Sequence, residues 1–302
     1  MTEYIGESAA LATAIMWGFT SVFFTLAGRM VGSPVVNRTR LLLAVLMIGA
    51  VHWLMFGAPA PLDAEGYRWG WLALSGVIGL VIGDALLFQA FVMIGARLSM
   101  LMMSLAPVFS TLLGWLWLEE VLSGPEFLGI GLAVAGVVWV ITDRAGNGGG
   151  EAEAPRDYLI GVLCALGGAV GQALGLVTSK LGLEGDFSPI SGNMIRLLAA
   201  TALIWAFTVA TGAAQHNFRR LKDQPRAWRW LLLGTVAGPV VGVSLSLLAV
   251  QRAPVGIAST LMQLTPIFLL PVGYFAFKER VGVRAVLGTL LAVAGTALIF
   301  LN

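Results

Sequence analysis

The chain has 302 residues, of which 58% are hydrophobic and only 11% charged, and its mean hydropathy is +0.88. A soluble domain carries about 25% charged residues, so this composition excludes a water-soluble globular protein and specifies an integral membrane one. The net charge of +2 is too small to imply a nucleic-acid partner. The single cysteine, Cys164, lies in an apolar run, rules out an intrachain disulfide and reads as a packing thiol.

A bilayer core is crossed by about 20 apolar residues in a helix. Ten segments qualify: 8–28, 34–56, 69–92, 97–118, 126–142, 158–179, 190–211, 228–249, 255–277 and 283–301. The first follows Met-Thr-Glu-Tyr-Ile-Gly-Glu, which has no basic residue and so is not a secretory signal peptide. Ser33-Pro34, the stretch 57–66, Gly124-Pro125, Ser188-Pro189 and Pro254 interrupt the apolar runs. Residues 146–155, rich in Gly, Glu and Ala, form a flexible polar linker after the fifth segment.

The second half of the chain rewrites the first. Residues 103–136 align without a gap on 262–295 at an offset of 159, with 13 of 34 positions identical. The identities include Pro107/Pro266, Phe109/Phe268, Gly114/Gly273, Glu120/Glu279 and Gly129/Gly288, together with Leu-Ala-Val-Ala-Gly at 132–136 and 291–295. A weaker echo joins Ser33-Pro34 and Arg40-Leu41-Leu42 to Ser188-Pro189 and Arg196-Leu197-Leu198, with a one-residue slip. The expected domains are a first repeat over 1–143, the linker 144–157 and a second repeat over 158–302.

Five spans per repeat is an odd number, so the second copy must enter the membrane with the opposite orientation to the first. The expected fold is therefore an all-α integral membrane protein of ten transmembrane helices, arranged as two inverted five-helix repeats around a central cavity. Basic residues set its direction. Fourteen fall on one side: Arg29, Arg38, Arg40, Arg97, Arg144, Arg156, Arg219, Arg220, Lys222, Arg226, Arg229, Lys278, Arg280 and Arg284. Four fall on the other: Arg68, Lys180, Arg196 and Arg252. The positive-inside rule then places both termini outside the cytoplasm. The cluster 219–229 reads as a topology anchor that also meets anionic lipid.

Phe268 to Arg280 followed by Gly288 to Gly295 resembles the end of an EamA repeat of the drug/metabolite transporter superfamily. Phe109 to Gly136, with Glu119-Glu120, resembles the same signature again. The resemblance implies a ten-helix carrier in which helices 1–4 and 6–9 surround a cavity while helices 5 and 10 pack outside it. Relatives export amino acids and other small metabolites or exchange phosphorylated sugars, and many are described with both termini in the cytoplasm. The basic residues here argue the reverse.

Asp84 sits well inside the third span, where a carboxylate costs roughly 2.5–3.5 kcal/mol. It is expected either to face the cavity, binding a substrate ammonium or carrying a proton, or to make an interhelical hydrogen bond. Trp17, Gln89, Gln172, Ser244 and Gln263 occupy cavity-lining spans and are candidate substrate contacts, with interhelical bonding as their alternative. Ser99, Met102 and Met103 could form an adaptable wall, or plain core. Pro107 and Pro266 are candidate hinges or static bends. Gly129, Gly131 and Ala135, with Gly288 and Ala292, offer small-residue faces for repeat packing. Neither His52 nor His216 has a second ligand at metal spacing, so no metal and no cofactor are expected.

These features specify a secondary carrier of the bacterial inner membrane, exporting amino acids or similar small amphipathic metabolites by alternating access. Its partners would be that small-molecule substrate and membrane lipid, not nucleic acid, and it would be a monomer or weak homodimer. A membrane-embedded enzyme acting on lipid-like substrates is the alternative, but its chemistry needs clustered titratable groups that are too sparse here. ATP-driven transport lacks a phosphate-binding loop, and a channel lacks repeated charge rings.

Overall fold

The computed structural model describes residues 4–117, 123–146, 155–253, 255–277 and 282–300, and every described element is helical. In chain order these are α1 (Ile5–Val31), α2 (Ser33–Phe56), α3 (Gly66–Gly76), α4 (Asp84–Met93), α5 (Ala96–Met103), α6 (Ala106–Trp117) and α7 (Gly124–Gly146). They continue as α8 (Pro155–Gly182), α9 (Pro189–Ala210), α10 (Ala213–Asp223), α11 (Ala227–Thr235), α12 (Val243–Arg252), α13 (Val255–Met262), α14 (Thr265–Phe277) and α15 (Val283–Phe300). Two π-helical segments, Val77–Gly83 and Val236–Gly242, join α3 to α4 and α11 to α12. Among the described residues eight helical spans are long and apolar enough to cross a membrane, and the apolar stretches Thr260–Pro271 and Val283–Ile299 are shorter. This is a multi-pass membrane protein.

The duplication extends beyond the aligned stretch. The two π segments occupy 77–83 and 236–242, and α4 and α12 start at 84 and 243, all at the offset of 159 seen in the sequence. A π turn widens the helix and misaligns its ladder. The backbone oxygens of Leu80 and Val81 accept hydrogen bonds from Arg40 Nη2 at 2.9 Å and Asn37 Nδ2 at 3.3 Å. Pro239, the counterpart of Leu80, offers its oxygen to Asn193 Nδ2 at 2.8 Å.

Glycines set how closely the helices approach. A Cβ placed on Gly171 would lie 2.7 Å from Gly83 Cα, and one on Gly175 would lie 3.1 Å from Gly79 Cα. Thus α8 packs backbone to backbone against the first π segment. Ser75 Oγ locks that contact by donating to Gly175 O at 2.5 Å. At the membrane edge Arg68 donates to Gly182 O at 3.2 Å and Glu184 O at 2.8 Å, meeting carbonyls at the C-terminus of α8. It also pairs with Glu65 at 2.6 Å. The Glu65 carboxyl is held below the usual range by its own backbone N–H and by Arg68.

α7 and α15 pack along their length against each other. Their contact corrects the expected small-residue face: Gly131 has no neighbour within 4 Å of a would-be Cβ and Ala135 is exposed, whereas Gly129, Ala133 and Gly136 meet Gly288, Ala292 and Gly295. The helical period rotates the expected stripe away from the partner. The basic connection 212–226 also differs from expectation, because most of it is the helix α10. Leu221 and Asn217 are buried there, and Arg219, Arg220 and Lys222 are exposed.

The fourth apolar segment is not a kinked continuous helix. It breaks in a turn at 104–105, and its counterpart breaks at 263–264. Pro107 and Pro266 then fall in the first turns of α6 and α14, where a missing N–H costs no helical hydrogen bond. Thr296 Oγ1 donates to Ser104 O at 3.2 Å and Thr265 Oγ1 to Ala14 O at 3.1 Å, using backbone acceptors of the first break and of α1. Glu119, Glu120, Pro254, Lys278, Glu279, Arg280 and the centre of the linker lie outside the described residues.

Candidate functional site

A cavity, with about 720 Å³ of empty space that includes its opening to solvent, lies between the two halves of the chain. From the first half α1 contributes Trp17, Thr20, Ser21 and Phe24, while α2 contributes Arg40 and α4 contributes Asp84, Leu87, Phe88 and Phe91. Met100 and Met103 come from α5. The second half supplies Gln172 and Leu176 from α8, Arg196 from α9, and Gly238, Pro239, Val243 and Ser246 from the second π segment and α12. No residue of α7 or α15 lines it.

Three charged groups define its polar wall. Arg40 Nη2 lies 2.5 Å from Asp84 Oδ2, with the two side chains 2% and 15% exposed. The guanidinium also donates from Nε and Nη2 to Asn37 Oδ1 at 3.0 and 2.8 Å. Its plane sits 4.7 Å from the centroid of Phe88, a cation–π contact. Arg40 is thus held on every side.

Arg196, the counterpart of Arg40 in the weaker repeat echo, is held differently. It is 5% exposed and its Nε has no hydrogen-bond partner among the described residues. The reason lies in the second repeat: the position equivalent to Asp84 at the offset of 159 is Val243, which cannot accept a hydrogen bond. Asp84 makes its ion pair with Arg40, and no hydrogen bond or ion pair joins it to Arg196 among the described residues. The cavity wall therefore holds two buried cations and one carboxylate.

A second cavity of about 290 Å³ shares Trp17, Gln172 and Leu176 with the first and reaches Ala106, Pro107, Ser110, Met262 and Gln263. It touches the helix break at 263 and the start of α6, so the broken helices border the site.

Of the residues singled out from sequence, Trp17, Asp84, Met103 and Gln172 meet in the main cavity, and Gln263 and Pro107 line the smaller one. Five line neither cavity. Gln89 accepts from Ser33 Oγ at 2.5 Å between α2 and α4. Ser99 is buried and donates to Gly95 O at 2.8 Å within its own helix start. Ser244 accepts from Asn193 Nδ2 at 3.1 Å, and it is Ser246, two residues on, that faces the cavity. Met102 is fully buried core, while Pro266 sits in α14 away from both cavities. Asp84 lines the main cavity and is also paired with Arg40, so it combines the cavity-facing placement with the interhelical bond expected as its alternative.

Arg40 and Arg196 are the residues that sequence reasoning missed. Both were counted as connection charges, yet both lie inside helices. The signal was present, since they are the two ends of the Arg-Leu-Leu echo and face the same cavity. His52 is buried and structural, bridging Ala58 O at 2.6 Å and Ser191 Oγ at 3.0 Å. No group of three or more potential metal ligands occurs among the described residues.

Comparison with known proteins places this geometry. The sequence profile described as the EamA-like transporter family matches residues 4–142 and again 159–301. A probable 4-amino-4-deoxy-L-arabinose-phosphoundecaprenol flippase subunit ArnE of Pseudomonas fluorescens strain Pf0-1 is 33% identical over 108 residues, covering 34% of this chain and 92% of that protein. The corresponding subunit of strain Pf-5 is 28% identical over 112 residues, covering 35% of this chain and 96% of its own. Those matches each span about a third of this chain. A crystal structure described only as that of a protein shares the fold at a TM-score of 0.61 and 17% identity, over 97% of this chain and 95% of its own.

Proposed function

The chain belongs to the EamA-like transporter family of the drug/metabolite transporter superfamily, and we propose that it is a secondary carrier exporting amino acids or similar small amphipathic metabolites by alternating access. One observation carries the reading: Arg40 and Arg196, from equivalent places in the two halves, reach one cavity walled by both. A site shared by two homologous halves is what rocking of one against the other would expose to each side in turn. The aromatic and methionine wall accepts the apolar part of a substrate.

The supporting architecture is ten transmembrane helices in two inverted five-helix repeats, bounded at about residues 143 and 158, in the inner membrane of a bacterium. Eight long and two shorter apolar helices fit that count. The odd number per repeat gives the inversion, and the basic residues place both termini outside the cytoplasm. Arg40 and Arg196 line the cavity rather than a connection, and dropping them from the tally leaves its direction unchanged. The chain works as a monomer or weak homodimer.

The test is uptake of radiolabelled amino acids into proteoliposomes, with and without a pH gradient. Saturable uptake of at least one, absent from protein-free vesicles, is the expected result. Solute flux that never saturates would replace the carrier with a pore.

A further inference from the structure

Resting on the carrier reading, we infer that the cavity binds a substrate through one singly charged oxyanion, a carboxylate or a phosphodiester, held by Arg196. The Arg40–Asp84 pair stays intact beside it.

The argument begins with charge. Arg40 and Arg196 are cationic, and Asp84, as the ion-pair partner of Arg40, supplies one negative charge. The wall therefore carries one uncompensated positive charge. A cation buried without a partner is expensive, and it is kept where function supplies the partner. Arg196 is 5% exposed, lines the cavity and has an Nε without a hydrogen-bond acceptor. An oxyanion in the cavity would pair with the guanidinium that lines its wall.

The repeats show why this cation is free. Arg40 has an internal carboxylate four residues from the Leu80 carbonyl it also binds. Arg196 has Val243 at the matching position and a proline carbonyl, Pro239, already taken by Asn193. The sequence has kept the arginine in both halves and the carboxylate in one. A ligand completes the second half as Asp84 completes the first.

Space agrees with that assignment. A Cβ on Gly79 would stand 3.4 Å from Arg196 Nη2, so the guanidinium end reaches from α9 across to the first π segment beside the cavity. Phe24, Phe91, Met100 and Met103 face the same cavity and suit an apolar body. One negative charge neutralises the wall, whereas a dianion overshoots and an uncharged amide leaves Arg196 unpaired.

The experiment measures binding to the full-length protein in detergent, by thermal shift and by intrinsic tryptophan fluorescence, to which Trp17 in the cavity contributes. The probes are 3-phenylpropionate, its amide, dibutyl phosphate and phenyl phosphate. At least one monoanion is expected to raise the melting temperature, with the amide and the phosphate monoester weaker by about tenfold or more. Preference between 3-phenylpropionate and dibutyl phosphate tells a free acid from a lipid-type phosphodiester. Arg196→Gln should melt at or above the wild-type temperature and lose the monoanion by about tenfold or more. Arg196→Lys should keep part of the affinity.

Failure of both monoanions to bind, equal binding of acid and amide, or wild-type affinity in Arg196→Gln overturns the inference. So does early melting of Arg196→Gln, since the arginine would then have a structural partner. Transport of only uncharged or cationic solutes would sink the oxyanion and leave the carrier. Oxyanion binding without any transport would do the opposite.

Discussion

Arg40 and Asp84 close a 2.5 Å ion pair inside the membrane-spanning part of the protein, joining α2 to the first residue of α4 just after a π turn. The pair sits at the cavity wall rather than in the packed core. Its position makes Asp84 both a structural partner and the neighbour of the substrate space.

Asp84→Asn is therefore expected to reduce stability as well as transport. It leaves two buried guanidinium groups without a carboxylate, and breaking a buried pair costs roughly 3–5 kcal/mol. The sequence alone suggests a variant that transports poorly yet melts like wild type. Unfolding in detergent decides between these, and Arg40→Met combined with Asp84→Leu should recover much of the loss. A single Asp84→Asn that keeps wild-type stability would mean that the pair contributes nothing to the fold.

Much of this was legible beforehand. Apolar run lengths placed the helices to within a few residues, because span length is dictated by bilayer thickness. Trp17, Asp84 and Gln172 were found because polar groups in hydrocarbon must face protein or water. Arg40 and Arg196 were not, because a charge near a predicted span end looks the same whether it snorkels outward or turns inward. Ser246, which lines the cavity, was not distinguished from Ser244, because the π turn shifts helical phase and no periodicity signal marks a π turn. α10 was hidden by its polarity, since an amphipathic helix at a membrane surface has a connection's composition.

Two glycines two residues apart on α7 should behave oppositely. A Cβ on Gly129 would lie 2.7 Å from Gly295 O, while nothing lies within 4 Å of one on Gly131. Gly129→Ala should cost about 1–3 kcal/mol through overpacking. Gly131→Ala should be neutral or stabilising by less than about 1 kcal/mol. Equal effects in a thermal melt would contradict the α7–α15 contact.

Pro107 and Pro266 begin the second halves of two broken helices, and hinge motion there predicts a kinetic phenotype. Pro→Ala at either site should slow turnover several-fold more than it weakens equilibrium substrate binding. Unchanged turnover in both variants would make the prolines static features of the helix starts.

The bias of basic residues predicts the orientation. A C-terminal alkaline phosphatase fusion should be active in a bacterial host, and a C-terminal green fluorescent protein fusion dark. The reverse pair of results would put both termini in the cytoplasm while leaving the two repeats in place.

The central claim is that one cavity opens in turn to each side of the membrane. Ser246 lines that cavity and is 4% exposed. A chain carrying Ser246→Cys and Cys164→Ser has a single reporter thiol there. In oriented proteoliposomes a membrane-impermeant thiol reagent should reach it from either face, in separate experiments, and each modification should stop solute uptake. Labelling confined to one face throughout transport, or full uptake by the modified protein, would contradict the account.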